Sequence, residues 1–236
     1  MTIAFPAGTR VALLDIEGTT TPISFVRDTL FAYARAHLEG FLSARGAEPE
    51  SRLAISRLSV ERLNDDDSAP TSPASYARWL MDRDRKSPAL KQLQGLIWEQ
   101  GYKAGELRGL VWDDVPRAME RWRASGLRIA IYSSGSELAQ RRLFESVSTG
   151  DLTPLIERFF DTAVGGKMQP ASYDRIAAEL DVTAADVTFI SDVTAELAAA
   201  RDAGCHAVLY VREGNAPQPE AAQYPAITTF DELATQ

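Results

Sequence analysis

The chain has 236 residues, enough for one large domain or for one domain carrying a smaller insert. A hydrophobic share of 45% and a charged share of 25% suit a globular chain with a substantial core, and a formal net charge of −8 argues against nucleic-acid binding driven by phosphate neutralisation. The single cysteine, Cys205, rules out an intrachain disulfide; no apolar run approaches the roughly 18 residues of a membrane span, and the N-terminal stretch lacks the basic-then-apolar layout of a secretory signal.

The apolar run at residues 10–15 predicts a first β-strand that ends in Asp15-Ile-Glu-Gly18. Side chains alternate along a strand, so Asp15 and Glu17 are expected on one side at its end. A turn alone would also account for Asp and Gly there. From Phe25 to Leu42 the pattern changes. Val26, Leu30, Tyr33, Ala34, His37, Leu38 and Phe41 recur at helical spacing and predict an amphipathic helix. Further helices are expected around Ser51–Asn64, Tyr76–Arg85 and Pro88–Gln100, the last with Leu90, Leu93, Ile97 and Trp98 as its core stripe. The acidic, turn-rich stretch from Asp65 to Pro73 reads as a solvated loop.

In the second half, Val115–Ser125 is helical and stops at Gly126, and Leu127–Tyr132 is a short strand followed by Ser133-Ser-Gly-Ser136. Glu137–Phe144 is helical, Phe159–Val164 a short strand, and Ser172–Leu180 helical. Val187–Ser191 is an apolar strand running into Asp192. The helix Ala195–Ala203 is closed by Gly204, a residue type that tolerates the left-handed conformation of a helix end, and Ala207–Val211 is one more strand.

Strands alternating with helices imply an α/β fold with a Rossmann-like, doubly wound parallel sheet. The helical block after the first strand predicts an inserted all-helical cap over 25–110, with the α/β core made of 1–24 and 111–236. Ligands in such sheets sit beyond the carboxyl ends of the strands. Asp15, Ser133, Ser134 and Asp192 fall at three such ends. Asp15, Glu17 and Asp192 form a hard oxygen donor set suited to Mg²⁺, which takes a few carboxylates and keeps room for water and a phosphate. His37 and His206 lie far apart in sequence and form no zinc cluster. Ser133 and Ser134 can offer hydroxyl and N–H groups to phosphate oxygens, or cap the next helix, or do both. Lys167, in the loop Gly165-Gly-Lys-Met-Gln-Pro170, can offset the charge of a phosphoryl group, although a lone loop lysine is ordinarily solvated. The combination suits phosphoryl transfer through a carboxylate. An aspartate attacks phosphorus, Mg²⁺ neutralises and orients the phosphate, and a second acid protonates the leaving oxygen and then activates water.

Asp15-Ile-Glu-Gly-Thr19, the Ser133 or Ser134 position, Lys167 and Ser191-Asp192 resemble the four ordered motifs of the haloacid dehalogenase superfamily. Most phosphatases there carry Asp where this chain has Glu17. The longer string Asp15-Ile-Glu-Gly-Thr-Thr-Thr-Pro-Ile-Ser-Phe-Val26 resembles the enolase-phosphatase (acireductone synthase) branch of methionine salvage. The stretches Leu93–Leu107, Ile131–Ser136, Phe160–Lys167 and Ser191–Leu197 agree with that branch, so the resemblance spans nearly the whole chain. It implies a cytoplasmic, monomeric, Mg²⁺-dependent enzyme. Its substrate would be a small phosphorylated diketone, 2,3-diketo-5-methylthiopentyl 1-phosphate, which is first enolised and then dephosphorylated through an aspartyl-phosphate. Carried over by position, Asp15 is the nucleophile and a metal ligand. Glu17 is the acid/base residue, with its carbonyl on the metal, and Asp192 is a metal ligand. Ser133, Ser134 and Lys167 bind substrate, and Glu196 lies in the shell around the metal. Tyr76, Trp79, Trp98 and Tyr102 are expected as cap core, with Ser24 and Phe25 as weak candidates for substrate contact. A metabolite phosphatase without enolase activity, a phosphomutase, a halide-releasing enzyme and a non-catalytic binding relative remain as alternatives.

Overall fold

The computed structural model describes residues 2–85 and 87–235. A two-residue strand β1 (Ile3–Ala4) precedes β2 (Val11–Leu14), whose four apolar residues are all buried, as a central parallel strand covered on both faces requires. The remaining strands are β3 (Arg128–Tyr132), β4 (Arg158–Phe160), β5 (Val187–Ser191), β6 (His206–Tyr210), β7 (Ala226–Ile227) and β8 (Leu233–Ala234). Six of them form one parallel sheet in the order β4-β3-β2-β5-β6-β7, and β1 pairs with β8 in a second, two-stranded sheet. Leu14 sits opposite both Ile131 and Ile190. The chain therefore winds from β2 through β3 to β4, returns to the other side of β2, and continues through β5 to β7. The reversal of direction lies at β2 and β5, where ligands of doubly wound sheets bind.

Contacts divide the chain into two compact units, residues 1–26 with 108–236, and residues 27–107. In the first unit, Val11, Leu13, Tyr132, Phe189 and Leu209 from the sheet and Tyr173, Ile176 and Leu197 from its helices share one buried cluster. Those helices are α5 (Asp114–Ala124), α6 (Glu137–Glu145), α7 (Pro170–Glu179) and α8 (Thr194–Asp202). They follow α1 (Ala32–Arg45), α2 (Pro49–Leu63), α3 (Pro73–Asp82) and α4 (Pro88–Ala104), which make up the second unit. There α4 packs on α1 and α2, and α3 on the same two helices. Leu38, Leu58, Leu80 and Leu93 are buried, and Tyr76, Trp98 and Tyr102 join them, while Trp79 is half-buried. Sequence supplies clear punctuation for α4. The Ser87 hydroxyl accepts from the Leu90 amide at 2.9 Å, Pro88 fills the first turn, and Gly105 ends the helix in the left-handed conformation.

Three differences from the sequence expectation have physical causes. The predicted helix from Phe25 begins as a wide π-turn over Phe25–Phe31, which shifts the phase of the apolar stripe. Leu30, Ala34, Leu38 and Phe41 are buried, but His37 is exposed and stacks on Tyr33. The strand expected over Phe159–Val164 stops at Phe160, because Asp161 turns the chain by accepting from the Ala163 amide at 2.8 Å. The first strand stops at Leu14, which places both Asp15 and Glu17 in the turn that follows.

Candidate active site

The site is built where β2, β3 and β5 end. Asp15 continues the β2 ladder by one bond, its amide donating to Ile190 at 3.0 Å, and then the chain turns through Ile16–Thr21. The amides of Thr19, Thr20 and Thr21 all point back to the Ile16 carbonyl, so the turn is tight. Strand alternation does not operate here, and the two acids end in different environments: Asp15 is buried and Glu17 is exposed. Gly18 is required by two independent constraints. Its φ is +77°, a region costly for residues with a Cβ, and a Cβ there would collide with the Asp192 carboxylate, whose Cγ would lie 2.6 Å away.

Asp15 is only 4% exposed and each carboxylate oxygen is engaged. Oδ1 accepts from the Ile16 amide at 2.7 Å and pairs with Lys167 Nζ at 2.5 Å, and Oδ2 accepts from the Ser191 hydroxyl at 3.2 Å. Lys167 Nζ also pairs with Glu196 Oε2 at 2.7 Å, and Ser191 Oγ lies 3.0 Å from the same oxygen. Asp15, Lys167, Glu196 and Ser191 thus close a ring. Burial acts to discharge Lys167, but the charges of Asp15 and Glu196 outweigh it and hold the ammonium above the ordinary lysine range. Burial and then the charge of Asp15 raise Glu196, and the same two causes push Asp192 up to about 7.

One lysine therefore does not balance the acids gathered here, and that excess supplies the test for a metal. Among the described residues, no three His, Cys, Asp or Glu side chains form a metal-holding cluster by themselves. The residues that could hold Mg²⁺ are two carboxylates, Asp15 and Asp192, together with the Glu17 carbonyl. A hard, positively charged ion would relieve the cost that raises Asp192, and a site with few protein oxygens is the kind Mg²⁺ takes.

Ser133 lies just beyond β3, buried, with its amide donating to the Phe160 carbonyl at 3.1 Å; Ser134 is exposed. The cap of α6 is neither of these but Ser136, whose hydroxyl accepts from the Ala139 amide at 3.3 Å. The structure thus brings Asp15 and Lys167 into direct contact, sets Asp192 against Gly18, and places Ser133 and Ser134 at the end of the neighbouring strand. Two contributors escape reading from sequence. Ser191 was visible only as part of a motif, yet its hydroxyl links two acids. Asn215 donates to the Gly18 carbonyl at 3.0 Å from a loop 197 positions away, and the same loop's Gln218 accepts from the Thr194 amide at 3.3 Å. The only sequence signal for that loop is its turn composition, Gly214-Asn-Ala-Pro-Gln-Pro219.

Comparison with known proteins narrows the chemistry. Residues 9–204 match the family model of the haloacid dehalogenase-like hydrolases. Enolase-phosphatase E1 of Synechococcus elongatus is 45% identical over 238 residues, spanning 97% of this chain and 99% of that protein. Enolase-phosphatase E1 of Salmo salar is 41% identical over 253 residues, spanning 98% and 97%. The crystal structure of the UTR4 protein of Saccharomyces cerevisiae covers 94% of this chain and 99% of its own at a TM-score of 0.76 and 33% identity. A Rhodobacter sphaeroides CbbY structure in complex with phosphate, at 17% identity and a TM-score of 0.61, shares the fold.

Proposed function

As the chain belongs to the haloacid dehalogenase-like hydrolases and, within them, to the enolase-phosphatase E1 proteins, we propose that it converts 2,3-diketo-5-methylthiopentyl 1-phosphate into the acireductone 1,2-dihydroxy-3-keto-5-methylthiopentene and phosphate. Its place is methionine salvage, in the cytoplasm, acting as a monomer with Mg²⁺. No helix among the described residues is long and apolar enough to cross a membrane. The observation that carries the reading is the Asp15 carboxylate. It is buried at the end of the central strand and held by an amide, a hydroxyl and an ammonium, so that its oxygens are aimed before substrate arrives.

In the phosphatase half, an Asp15 oxygen forms a bond to phosphorus as the ester P–O bond breaks, giving an aspartyl-phosphate. The exposed Glu17 carboxyl delivers a proton to the departing enolate oxygen. It then takes one from the water that attacks phosphorus and frees Asp15. Ser133 and Ser134 give hydroxyl and N–H donors to the phosphoryl oxygens, and Lys167 gives its ammonium. Asp15, Asp192 and the Glu17 carbonyl would hold Mg²⁺, which would supply positive charge to offset that of the phosphate and to acidify the proton next to the diketone. Glu196, paired with Lys167, keeps that ammonium charged and beside Asp15. We assign to unit 27–107 the role of a cap that recognises the methylthio end.

The test supplies the diketo phosphate with and without Mg²⁺ to the unaltered chain, to Asp15→Asn and to Glu17→Gln. Phosphate release and the ultraviolet absorbance of the enol are followed together. Loss of phosphate release by at least about 10⁴-fold in Asp15→Asn is expected for removal of a covalent nucleophile. An active Asn variant, or turnover indifferent to Mg²⁺, overturns the mechanism. Phosphate release without enol formation marks an ordinary metabolite phosphatase instead.

A further inference from the structure

Lys167 stands in a loop with neither helix nor strand, where the Gly166 carbonyl accepts a turn bond from the Gln169 amide at 3.0 Å. Each carbonyl of residues 164–167 meets a side-chain donor. Arg175 Nη1 donates to Val164, Tyr132 Oη to Gly165 at 2.9 Å, Ser172 Oγ to Gly166 at 2.9 Å, and Tyr173 Oη to Lys167 itself at 2.7 Å. Four consecutive carbonyls thus meet four different side chains. Three of these come from α7, and the fourth is the last residue of β3, next to Ser133. Loops ordinarily run over the surface, where water can satisfy their carbonyls. A different protein side chain on each of the four, added to the Gln169 turn bond, fixes the backbone at four successive points.

The surroundings are shaped to this arrangement. Gly165 has φ +128°, and a Cβ there would run into Ser172 Oγ and Arg175, so the side chains that grip the loop occupy the space a larger residue would need. Beneath the loop, Tyr132 and Tyr173 meet edge to face at 5.6 Å, Tyr173 packs on Phe189 at 5.2 Å, and Lys167 Nζ lies 5.9 Å from the Phe189 ring centre. A lysine has a long stem with many rotamers and loses that freedom on binding an anion unless its backbone and stem are already fixed.

We propose that Tyr132, Ser172, Tyr173 and Arg175 are positioning residues that hold the 164–167 backbone so that Lys167 meets the substrate phosphate as a preset cation. This rests on the reading of Lys167 as a phosphate-binding residue. A purely structural role predicts something different: the hydroxyls would matter to stability and not to phosphate.

A double-mutant cycle separates the two, read as the affinity for orthovanadate by calorimetry in the presence of Mg²⁺ and as kcat and KM for the diketo phosphate. The clamp variant is Tyr132→Phe with Ser172→Ala, which keeps the ring and leaves Glu196 untouched. Tyr173→Phe is the second variant, since its hydroxyl also reaches the Glu196 carbonyl at 3.1 Å. Thermal unfolding selects the variant that is folded at the assay temperature. Lys167→Ala is expected to weaken orthovanadate on the order of a hundredfold, as removal of a charged hydrogen-bond donor does. The clamp variant is expected to weaken it about fivefold, with kcat reduced as well. In the Lys167→Ala background the clamp change is expected to add nothing further. The same fivefold loss with Lys167 already absent, or no loss with Lys167 present, overturns the proposal while the reading of Lys167 stands. Undiminished orthovanadate binding by Lys167→Ala overturns both.

Discussion

The two units differ in how many charged groups they bury. In the α/β unit the acids that matter are buried and interlocked. Asp15 and Asp192 sit at strand ends, and Asp114 at the start of α5 accepts from Arg212 at 2.7 Å, Tyr210 at 2.8 Å, Thr229 at 2.9 Å and the Phe230 amide at 2.7 Å. In the helical unit the ion pairs Arg27–Asp28, Arg45–Glu48 and Arg78–Glu39 all lie on the surface. The interior there is mainly apolar, with Leu38 and Leu58, but it also takes in the Asp65 carboxylate, met by Arg85 and by the Tyr76 hydroxyl at 2.7 Å each. A buried charge is costly unless its partners are complete: Asp15 and Asp114 have several partners each, whereas Asp192 is under-compensated and is pushed up to about 7. A surface pair contributes little either way. The contrast teaches that buried charge in this chain gathers mostly at the ends of β2 and β5 and at Asp114, while the helical unit rests mainly on shape.

The largest test of that contrast is Asp114→Ala. It strands Arg212, whose guanidinium lies over the Tyr210 ring at 4.2 Å, and is expected to cost about 3–5 kcal/mol in denaturant unfolding. A loss below about 1 kcal/mol would make this cluster no different from a surface pair. Leu58→Ala, in the helical unit, should cost about 2–5 kcal/mol through the cavity it leaves. A negligible effect would show that shape does not organise that unit. Gly18→Ala comes next. It adds backbone strain and displaces Asp192, and turnover should fall about a hundredfold, as misplacement of a reacting group does. A variant with unchanged kcat would separate Asp192 from the chemistry.

A gentler test uses pH. Asp192 stands at about 7, above its unfolded value of about 3.9, so between those limits the folded, metal-free protein binds a proton that the unfolded chain does not. Its stability should therefore rise as pH falls from about 7 towards 4, and the thermal shift caused by Mg²⁺ should be larger at about pH 8 than at about pH 6. Asp114 has the opposite sign. Burial works to raise it, but Arg212, the Phe230 amide and Tyr210 hold it below the usual carboxylate range, so its contribution is present above about 3.9 and is lost in acid beneath that. Equal Mg²⁺ shifts at both pH values would remove Asp192 from the metal site. The smallest expected effect is that of Arg45→Ala in the helical unit, less than about 0.5 kcal/mol.

The parts of this arrangement legible in sequence are those that repeat along the chain. Apolar runs marked β2, β3, β5 and β6, and their first residues beyond the run, Asp15, Ser133 and Asp192, could be read as neighbours because a parallel sheet places strand ends side by side. Gly204 closing α8 was equally readable, and its φ is +91°. What escaped has no periodicity. Strands β1, β7 and β8 have two residues each, too short to show alternation. The π-turn at Phe25–Phe31 is a change of phase that a 3.6-residue template absorbs as noise. The split fates of Asp15 and Glu17 depend on where β2 ends, and Gly18 and Asp192 meet only in three dimensions. The grip of Asn215 on Gly18, like that of Tyr173 on Lys167, joins a side chain to a backbone carbonyl, a pairing that leaves no residue-type signature on its acceptor.

The place of β2 in the sheet has a consequence for how the molecule comes into being. It is the earliest strand of the six in the chain, yet its two neighbours are residues 128–131 and 187–190, and a whole helical unit is made in between. On a ribosome, Val11–Leu14 emerges with both hydrogen-bonding edges open and waits for partners more than a hundred residues away, while α1–α4 can close on one another from local contacts. Pairing at such separation carries a loop-closure cost and slows folding, and an open apolar strand is prone to associate with other chains. A newborn chain can therefore complete its helical unit while the strand that leads into Asp15 still lacks both neighbours.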